Sequence, residues 1–211
     1  MGLFVRRSDS GTHAPLYTLG QNKTVLIVGL GNVGKEYEKT RHNIGFAVLD
    51  IFAKQQGFPG WVEKKDLKCL FTKQLVGDTD VILIKPTTYM NESGQAAQAT
   101  QSFYKIVNSQ TLVVHDELDM PFGQVRARVG GSDAGNNGIK SLIAHLGEDF
   151  ARIRIGINNE LAQTADGANF VLSKFSSEEQ HQLDKLINES QSLLNEFIAT
   201  GELPHDTRKI L

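Results

Sequence analysis

The stretch that decides the fold is Val25–Gly45, VLIVGLGNVGKEYEKTRHNIG. The unbroken apolar run Val25-Leu26-Ile27-Val28 reads as a buried strand. It empties into a glycine turn and then a polar segment carrying Asn32, Tyr37, Arg41, His42 and Asn43. Gly29, Gly31 and Gly34 fit G-x-G-x-x-G, the spacing of a dinucleotide site. The residues after Gly34 argue against a nucleotide. In that motif an amphipathic helix starts within the glycines, and its N-terminus holds the pyrophosphate. Here Lys35–His42 contains one aromatic and no aliphatic residue, and helical apolar spacing begins only at Ile44, continuing through Ala47, Val48, Ile51 and Phe52. Asp50 falls inside that helix instead of at the end of a second strand.

Outward from this unit, strand and helix patterns alternate. A helix is expected over 43–56, strands over 67–76 and 80–85 joined by the turn Gly77-Asp78, and a helix over 92–105. A strand over 111–115 precedes a turn signal at Asp119–Gly123, and Val125, Ala127 and Val129 alternate along 124–129. A helix from about 136 ends before Gly147. Residues 151–157 alternate again, with Ile153, Ile155 and Ile157 opposite Arg152 and Arg154. Ser176-x-x-Glu179 is a capping box that opens a last amphipathic helix, ended by Gly201. This is an α/β pattern: a single domain with a mixed, mostly parallel twisted sheet flanked by helices on both faces. Residues 1–23 read as an extension or flexible linker, and 24–211 as the domain.

Composition narrows the function. A formal charge of −2 provides no global attraction for nucleic acid, so any RNA partner needs a local basic patch. One cysteine, Cys69, excludes an internal disulfide and a cysteine metal cluster, and its neighbours Leu67, Leu70 and Phe71 suit a buried structural thiol. No apolar run is long enough to span a membrane, and a cytoplasmic chain is expected. No metal-ligand spacing and no serine-nucleophile elbow occurs, so neither a metal nor a serine acyl-enzyme is expected.

In open α/β sheets the active cleft lies beyond the carboxyl ends of the strands. The first strand delivers Asn32 there, the strand ending at Ile84 delivers Tyr89, Met90 and Asn91, and the strand ending at Val114 delivers His115 and Asp116. Asn136 and Asn137 open a helix after a glycine loop. Next to a helix start, His42 would be kept neutral and basic. An aspartate such as Asp116 on the other ring nitrogen would fix its tautomer and stabilise its cation. These two effects move the pKa in opposite directions. The same residues also read as a surface cap and a turn, and the asparagines as ordinary turn or cap residues. Arg126 with Arg128, and Arg152 with Arg154, read either as solvated charge on an outer sheet face or as a phosphate clamp joined by Lys140.

Five motifs in order, VGLGNVGKEYEKTRHNIG, KPTTYMNESG, VVHDELDMPFGQVRARVGG, GNNGIKSL and RIRIGI, resemble the bacterial-type peptidyl-tRNA hydrolase family over about 24–210. The resemblance implies a monomeric α/β enzyme, a carboxylic ester hydrolase that needs no metal or cofactor. It would cleave the ester between a peptide and the 3′ end of tRNA, recognising the acceptor stem and 3′ end and returning tRNA for reuse. It places the catalytic histidine at His42 and its aspartate at Asp116, with Asn32 and Asn91 beside them. Tyr37, Met90, Asn91, Asn136 and Asn137 fall on substrate-binding positions, and Arg126, Arg128 and Arg154, with Lys140 nearby, on tRNA phosphate-binding ones. Related folds that act as RNA-processing partners without catalysis are the alternative; the intact His42 and Asp116 count against it. Three departures stand out: Val33 where proline is usual, Ser132-Asp133-Ala134 in a loop usually written with glycines and a histidine, and Asn136 in place of a histidine. An amide can hydrogen-bond as the imidazole does, but it does not titrate near neutral pH.

Overall fold

A computed structural model describes residues 23–163 and 166–211. In chain order they form β1 (Lys23–Gly29), α1 (Ile44–Gln55), β2 (Val62–Lys64), β3 (Cys69–Val76), β4 (Thr79–Pro86), α2 (Ser93–Tyr104), β5 (Thr111–Pro121), β6 (Gln124–Val129), α3 (Asn137–Leu146), β7 (Ala151–Asn158), α4 (Gly167–Val171), α5 (Ser177–Thr200) and β8 (Asp206–Lys209). The extension expected over 1–23 lies outside the described residues except for Lys23, which opens β1.

The strands build one mixed sheet in the order β2-β3-β4-β1-β5-β7-β6-β8. Its centre, β4-β1-β5-β7, is parallel, and the pairs towards both edges are antiparallel. Val25 to Val28 of β1 are all fully buried, as their unbroken apolar run requires in a central parallel strand. Alternate strand residues feed two cores. Val25, Ile27, Val114 and Ile153 pack under Leu49 and Phe52 of α1, Phe170 of α4 and Leu186, Leu193 and Phe197 of α5. Leu26, Val28, Ile84 and Val113 pack under Ala96 and Ala97 of α2 and Ile139 and Leu142 of α3. Helices therefore cover both faces.

The glycines after β1 serve close packing. A Cβ on Gly29 would lie 2.7 Å from the Gly45 carbonyl oxygen, and one on Gly45 would lie 2.3 Å from that of Val114 and 2.5 Å from the Leu30 nitrogen. Absent side chains let α1 settle directly onto the ends of β1 and β5. Between Gly29 and α1 the chain makes two short 3-10 turns, Lys35–Tyr37 and Arg41–Asn43, so α1 does not start within the glycines, and in its first turn Phe46 N donates to Leu30 O at 3.2 Å.

Three sequence expectations need correction. β5 continues well beyond 115, paired to β7 through Glu117, and the turn falls at 122–123 instead of opening at Asp119. Asp116 and Glu117 do not end the strand because both carboxylates are buried with partners. The strand expected over 67–76 starts at Cys69, after a 3-10 turn and a left-handed Lys68 at φ 54°. β2 and β8 have no apolar alternation to announce them; they are short, polar edge strands held by their neighbours β3 and β6. Cys69 is buried, and its surroundings push its thiol pKa up to about 11, as befits an inert packing residue.

Candidate active site

His42 sits in the middle of the 3-10 turn Arg41–Asn43, immediately before α1. Its Nδ1 lies 2.9 Å from each carboxylate oxygen of Asp116 on β5, 74 positions away in sequence. Asp116 is 1% exposed and His42 8%, so the pair sits at the floor of a depression, shielded from bulk water. A carboxylate only accepts, so Nδ1 carries the hydrogen and Nε2 is left as the basic nitrogen. Burial pulls the His42 pKa down, but the charge and hydrogen bond of Asp116 outweigh it, and the net pKa stands above the ordinary histidine value.

His42, Asp116, Asn136 and Asn137 line one cavity of about 230 Å³, closed on other sides by Leu118 and by Gly167, Ala168 and Val171 of the α4 segment. Asn136 caps α3, its Oδ1 accepting from Gly138 N and Ile139 N, while its Nδ2 donates to Asp116 Oδ1 and to the Asp116 main-chain oxygen. Asn137 is exposed at the first position of α3, at the rim of the cavity. A larger hollow of about 780 Å³ between α1 and the N-terminal half of α5 touches Asn32 and Asn43, but neither His42 nor Asp116.

The remaining amides are tied to this centre by the backbone. Asn43 clamps Asn32 with two bonds, accepting from Asn32 N at 2.9 Å and donating to Asn32 O at 2.9 Å. Asn32 Oδ1 in turn accepts from Met90 N at 2.8 Å, which fixes the turn that carries Asn91. Asn91 is exposed and makes no hydrogen bond among the described residues. The Met90 side chain is 4% exposed and packs in the α2/α3 core, and its main-chain oxygen accepts from Ser93 Oγ at 2.9 Å. Tyr37 is half-buried in the loop before His42.

Two supporting residues did not stand out in the sequence as such. Asn43 looked like a helix-start residue. Arg41 is 1% exposed and among the largest fully buried side chains. Its Nη1 and Nη2 donate to the two Glu179 oxygens at 2.9 and 2.6 Å, and Nη1 also to Ile157 O at 3.3 Å. Its guanidinium lies 4.5 Å from the Phe170 ring centroid and 4.8 Å from that of Phe175. Burial raises the Glu179 carboxyl, but bonds from Arg41, Ser176 N and Asn159 outweigh this and hold its pKa below the ordinary value. The capping box at Ser176 and Glu179 was visible in the sequence; that its glutamate also holds the residue beside His42 was not.

The basic residues lie together on the sheet face opposite Val125 and Ile153, since β6 and β7 pair Arg126 with Arg154 and Arg128 with Arg152. They are not alike. Arg128 is exposed, and Arg126 is partly exposed with Nε donating to Thr207 on β8. Arg154 is paired with the buried Glu117 carboxylate at 2.8 Å. Arg152 is 3% exposed, stacks on Phe150 and donates to the Gly131 and Ser132 carbonyls, fixing the loop that leads to Asn136. Burial, then the positive charges of Arg154 and Arg128, lower the Arg152 pKa to about 10. Lys140 is exposed on α3, one turn beyond Asn136.

A family model described as peptidyl-tRNA hydrolase matches residues 26–210. The peptidyl-tRNA hydrolase of Lactobacillus gasseri is 40% identical over 174 residues, 82% of this chain and 92% of that protein. That of Aliarcobacter butzleri is 44% identical over 178 residues, 84% and 93% of the two chains. The crystal structure of the enzyme from Acinetobacter baumannii superposes with a TM-score of 0.77 at 35% identity, covering 85% of this chain and 90% of that one. The chain belongs to the peptidyl-tRNA hydrolase family.

Proposed function

We propose, with membership of the peptidyl-tRNA hydrolase family as the premise, that the chain hydrolyses the ester joining a peptide to the 3′ end of tRNA by general-base catalysis at His42. The observation that carries this reading is the buried His42–Asp116 bond opening onto an amide-lined cavity. Nε2 of His42 takes a proton from water as the water attacks the ester carbonyl. Asp116 holds the reactive tautomer and stabilises the imidazolium that forms. A base so placed supplies about 10²–10⁴-fold. The exposed Asn91 amide is suited to donate to the developing oxyanion, a role worth about 3 kcal/mol. Asn32, whose Oδ1 is engaged by Met90 N, has Nδ2 left to donate to the substrate, and Asn137 at the cavity rim can hold peptide or terminal ribose. The family resemblance adds Tyr37 and Met90 as substrate-binding positions. The proton then passes from the imidazolium to the leaving ribose oxygen, and the ester is reactive enough that no covalent acyl-enzyme, metal or cofactor is called for.

The tRNA phosphates would meet Arg128, Arg126 and Lys140. Arg154 contributes less, because Glu117 already offsets its charge. A monomer is the state the family resemblance implies and the one we propose. No described helix is long and apolar enough to cross a membrane, and the cytoplasm, where peptidyl-tRNA arises, is the compartment we assign. Single-turnover hydrolysis of an N-blocked aminoacyl-tRNA tests the assignment. His42→Ala should bind the tRNA normally and cleave it at least about 10²-fold more slowly; full-rate cleavage would remove His42 as the base.

A further inference from the structure

Asn136 has no hydrogen-bonding capacity left for a substrate. Its Oδ1 accepts from Gly138 N at 3.0 Å and Ile139 N at 3.2 Å. Those groups can only donate, so the amide has one orientation, with Nδ2 turned to Asp116. Nδ2 donates to Asp116 Oδ1 and to the Asp116 main-chain oxygen, both at 3.1 Å. The same Oδ1 of Asp116 accepts from His42 Nδ1 at 2.9 Å.

The geometry points to Asn136 as a positioning residue, which holds the Asp116 carboxylate in line with His42 by pinning it to the first turn of α3. The inference rests on the reading of His42 and Asp116 as the base and its partner. A carboxylate turns easily about its last torsion, which has broad, shallow preferences. With His42 as its sole side-chain partner, Asp116 could turn away whenever the imidazole moved. A second donor, anchored by two backbone bonds to a helix, removes that freedom. One amide thus does two jobs, capping α3 and orienting Asp116, and the two are separable. Serine and aspartate cap a helix about as well as asparagine. An ionised aspartate has no donor for Asp116, and serine has one hydroxyl hydrogen on a shorter side chain in place of two amide hydrogens.

The experiment measures kcat, KM, their pH dependence and Tm for Asn136→Ser and Asn136→Asp, with N-blocked aminoacyl-tRNA as substrate. Asn136→Ser should keep a Tm close to the parent's, whereas Asn136→Asp should lose stability as the pH rises, because it sets a second carboxylate against the buried Asp116. Asn136→Ser should lower kcat about tenfold with KM unchanged, the mark of an interaction that does not bind substrate. Asn136→Asp should lower kcat further and shift the acidic limb of the profile up by about one pH unit, because a second carboxylate beside Asp116 stabilises the His42 imidazolium. His115 does not confuse that reading: its Nδ1 shares the Asp116 main-chain oxygen at 2.7 Å, but burial lowers its pKa to about 4, so it stays neutral there. A raised KM with unchanged kcat would make Asn136 a substrate contact and overturn the inference. Parent-like kcat, KM and pH profile in both variants would reduce it to a helix cap. His42→Ala in the same assay keeps the two claims apart. An inactive His42→Ala beside parent-like Asn136 variants sinks the positioning role alone, whereas a fully active His42→Ala sinks the base assignment itself.

Discussion

Replacing Asp116 by asparagine tests the electrostatics of the site with almost no change of shape. The amide at position 136 would decide how the new side chain lies. Its Nδ2 faces the Asp116 Oδ1 position at 3.1 Å and can only donate, so it would draw the new carbonyl oxygen to itself. The new NH₂ group would then take the Oδ2 position, so Nδ1, 2.9 Å from both oxygen positions, would meet a donor beside the remaining carbonyl oxygen. The donor favours an imidazole that accepts at Nδ1 and carries its proton on Nε2, the atom that should take a proton from water. The loss is the whole contribution of the base, about 10²–10⁴-fold in kcat, and the same tautomer error in a serine-protease triad costs about 10⁴. KM should change little. The pKa should move as well. Asp116 is what raises His42 above 6.5 against the effect of burial; without it burial remains, and the acidic limb of the residual activity should fall below the parent's. Stability obeys the same linkage. A raised folded-state pKa contributes stability fully present below the unfolded histidine value of about 6.5 and lost as pH rises through the folded value. Asp116→Asn should therefore be less stable than the parent near pH 5.5 and approach it near pH 8.5. Single-turnover hydrolysis across pH, with urea unfolding at the two pH values, makes the measurement. A kcat within about threefold of the parent, with an unmoved acidic limb, would refute the tautomer argument.

Arg126→Glu combined with Arg128→Glu should weaken tRNA binding and flatten the slope of log affinity against log salt by roughly 1.4 to 1.8, the value for two lost phosphate contacts. Arg154→Gln should flatten it less, since Glu117 already neutralises that guanidinium; filter binding at several salt concentrations distinguishes them. Gly45→Ala should destabilise the fold by about 3 kcal/mol or more, because its Cβ would meet the Val114 oxygen at 2.3 Å and the Leu30 nitrogen at 2.5 Å, both backbone atoms. Gly31→Ala should cost much less, since its nearest neighbour is the Phe46 ring, a side chain that can turn. Urea melts that ranked the two the other way would contradict the packing role given to these glycines.

The parts of the fold that could be read in advance are those in which burial imposes a period. Val25–Val28 had to be a central strand, and the stripe through Leu186, Leu193 and Phe197 had to face a sheet. Elements without that imprint escaped. β2 and β8 owe their form to the strands beside them, and β5 runs past His115 because Asp116 and Glu117 find buried partners that no local pattern announces. The site divides in the same way. His42, Asp116 and the asparagines were recognisable by residue type and motif order. The engagement of Asn136 with Asp116, and of Arg154 with Glu117, depends on which strands and loops become neighbours, and the arginine alternation alone could not tell exposed Arg128 from buried Arg152.

The turn Arg41–Asn43 shows why so few residues can organise this centre. A 3-10 turn has three residues per revolution, so three successive side chains leave it in three directions about 120° apart. Arg41 goes to Glu179 at the start of α5 and to the end of β7, His42 to Asp116 on β5, and Asn43 to Asn32 at the exit of β1. Each of those partners continues to another part of the site. Asn32 holds Met90 N and with it the turn of Asn91, Asp116 is held by Asn136, and Phe170, against which the Arg41 guanidinium rests, belongs to the α4 segment that borders the cavity. An α-helical turn would place successive residues about 100° apart and continue the α1 stripe into the core. The tighter winding lets the imidazole stand between two buried anchors, so His42 gains a fixed position while its own Nε2 needs no structural bond. The fixed position of the imidazole is therefore a property of its two neighbours in sequence as much as of the aspartate it meets in space.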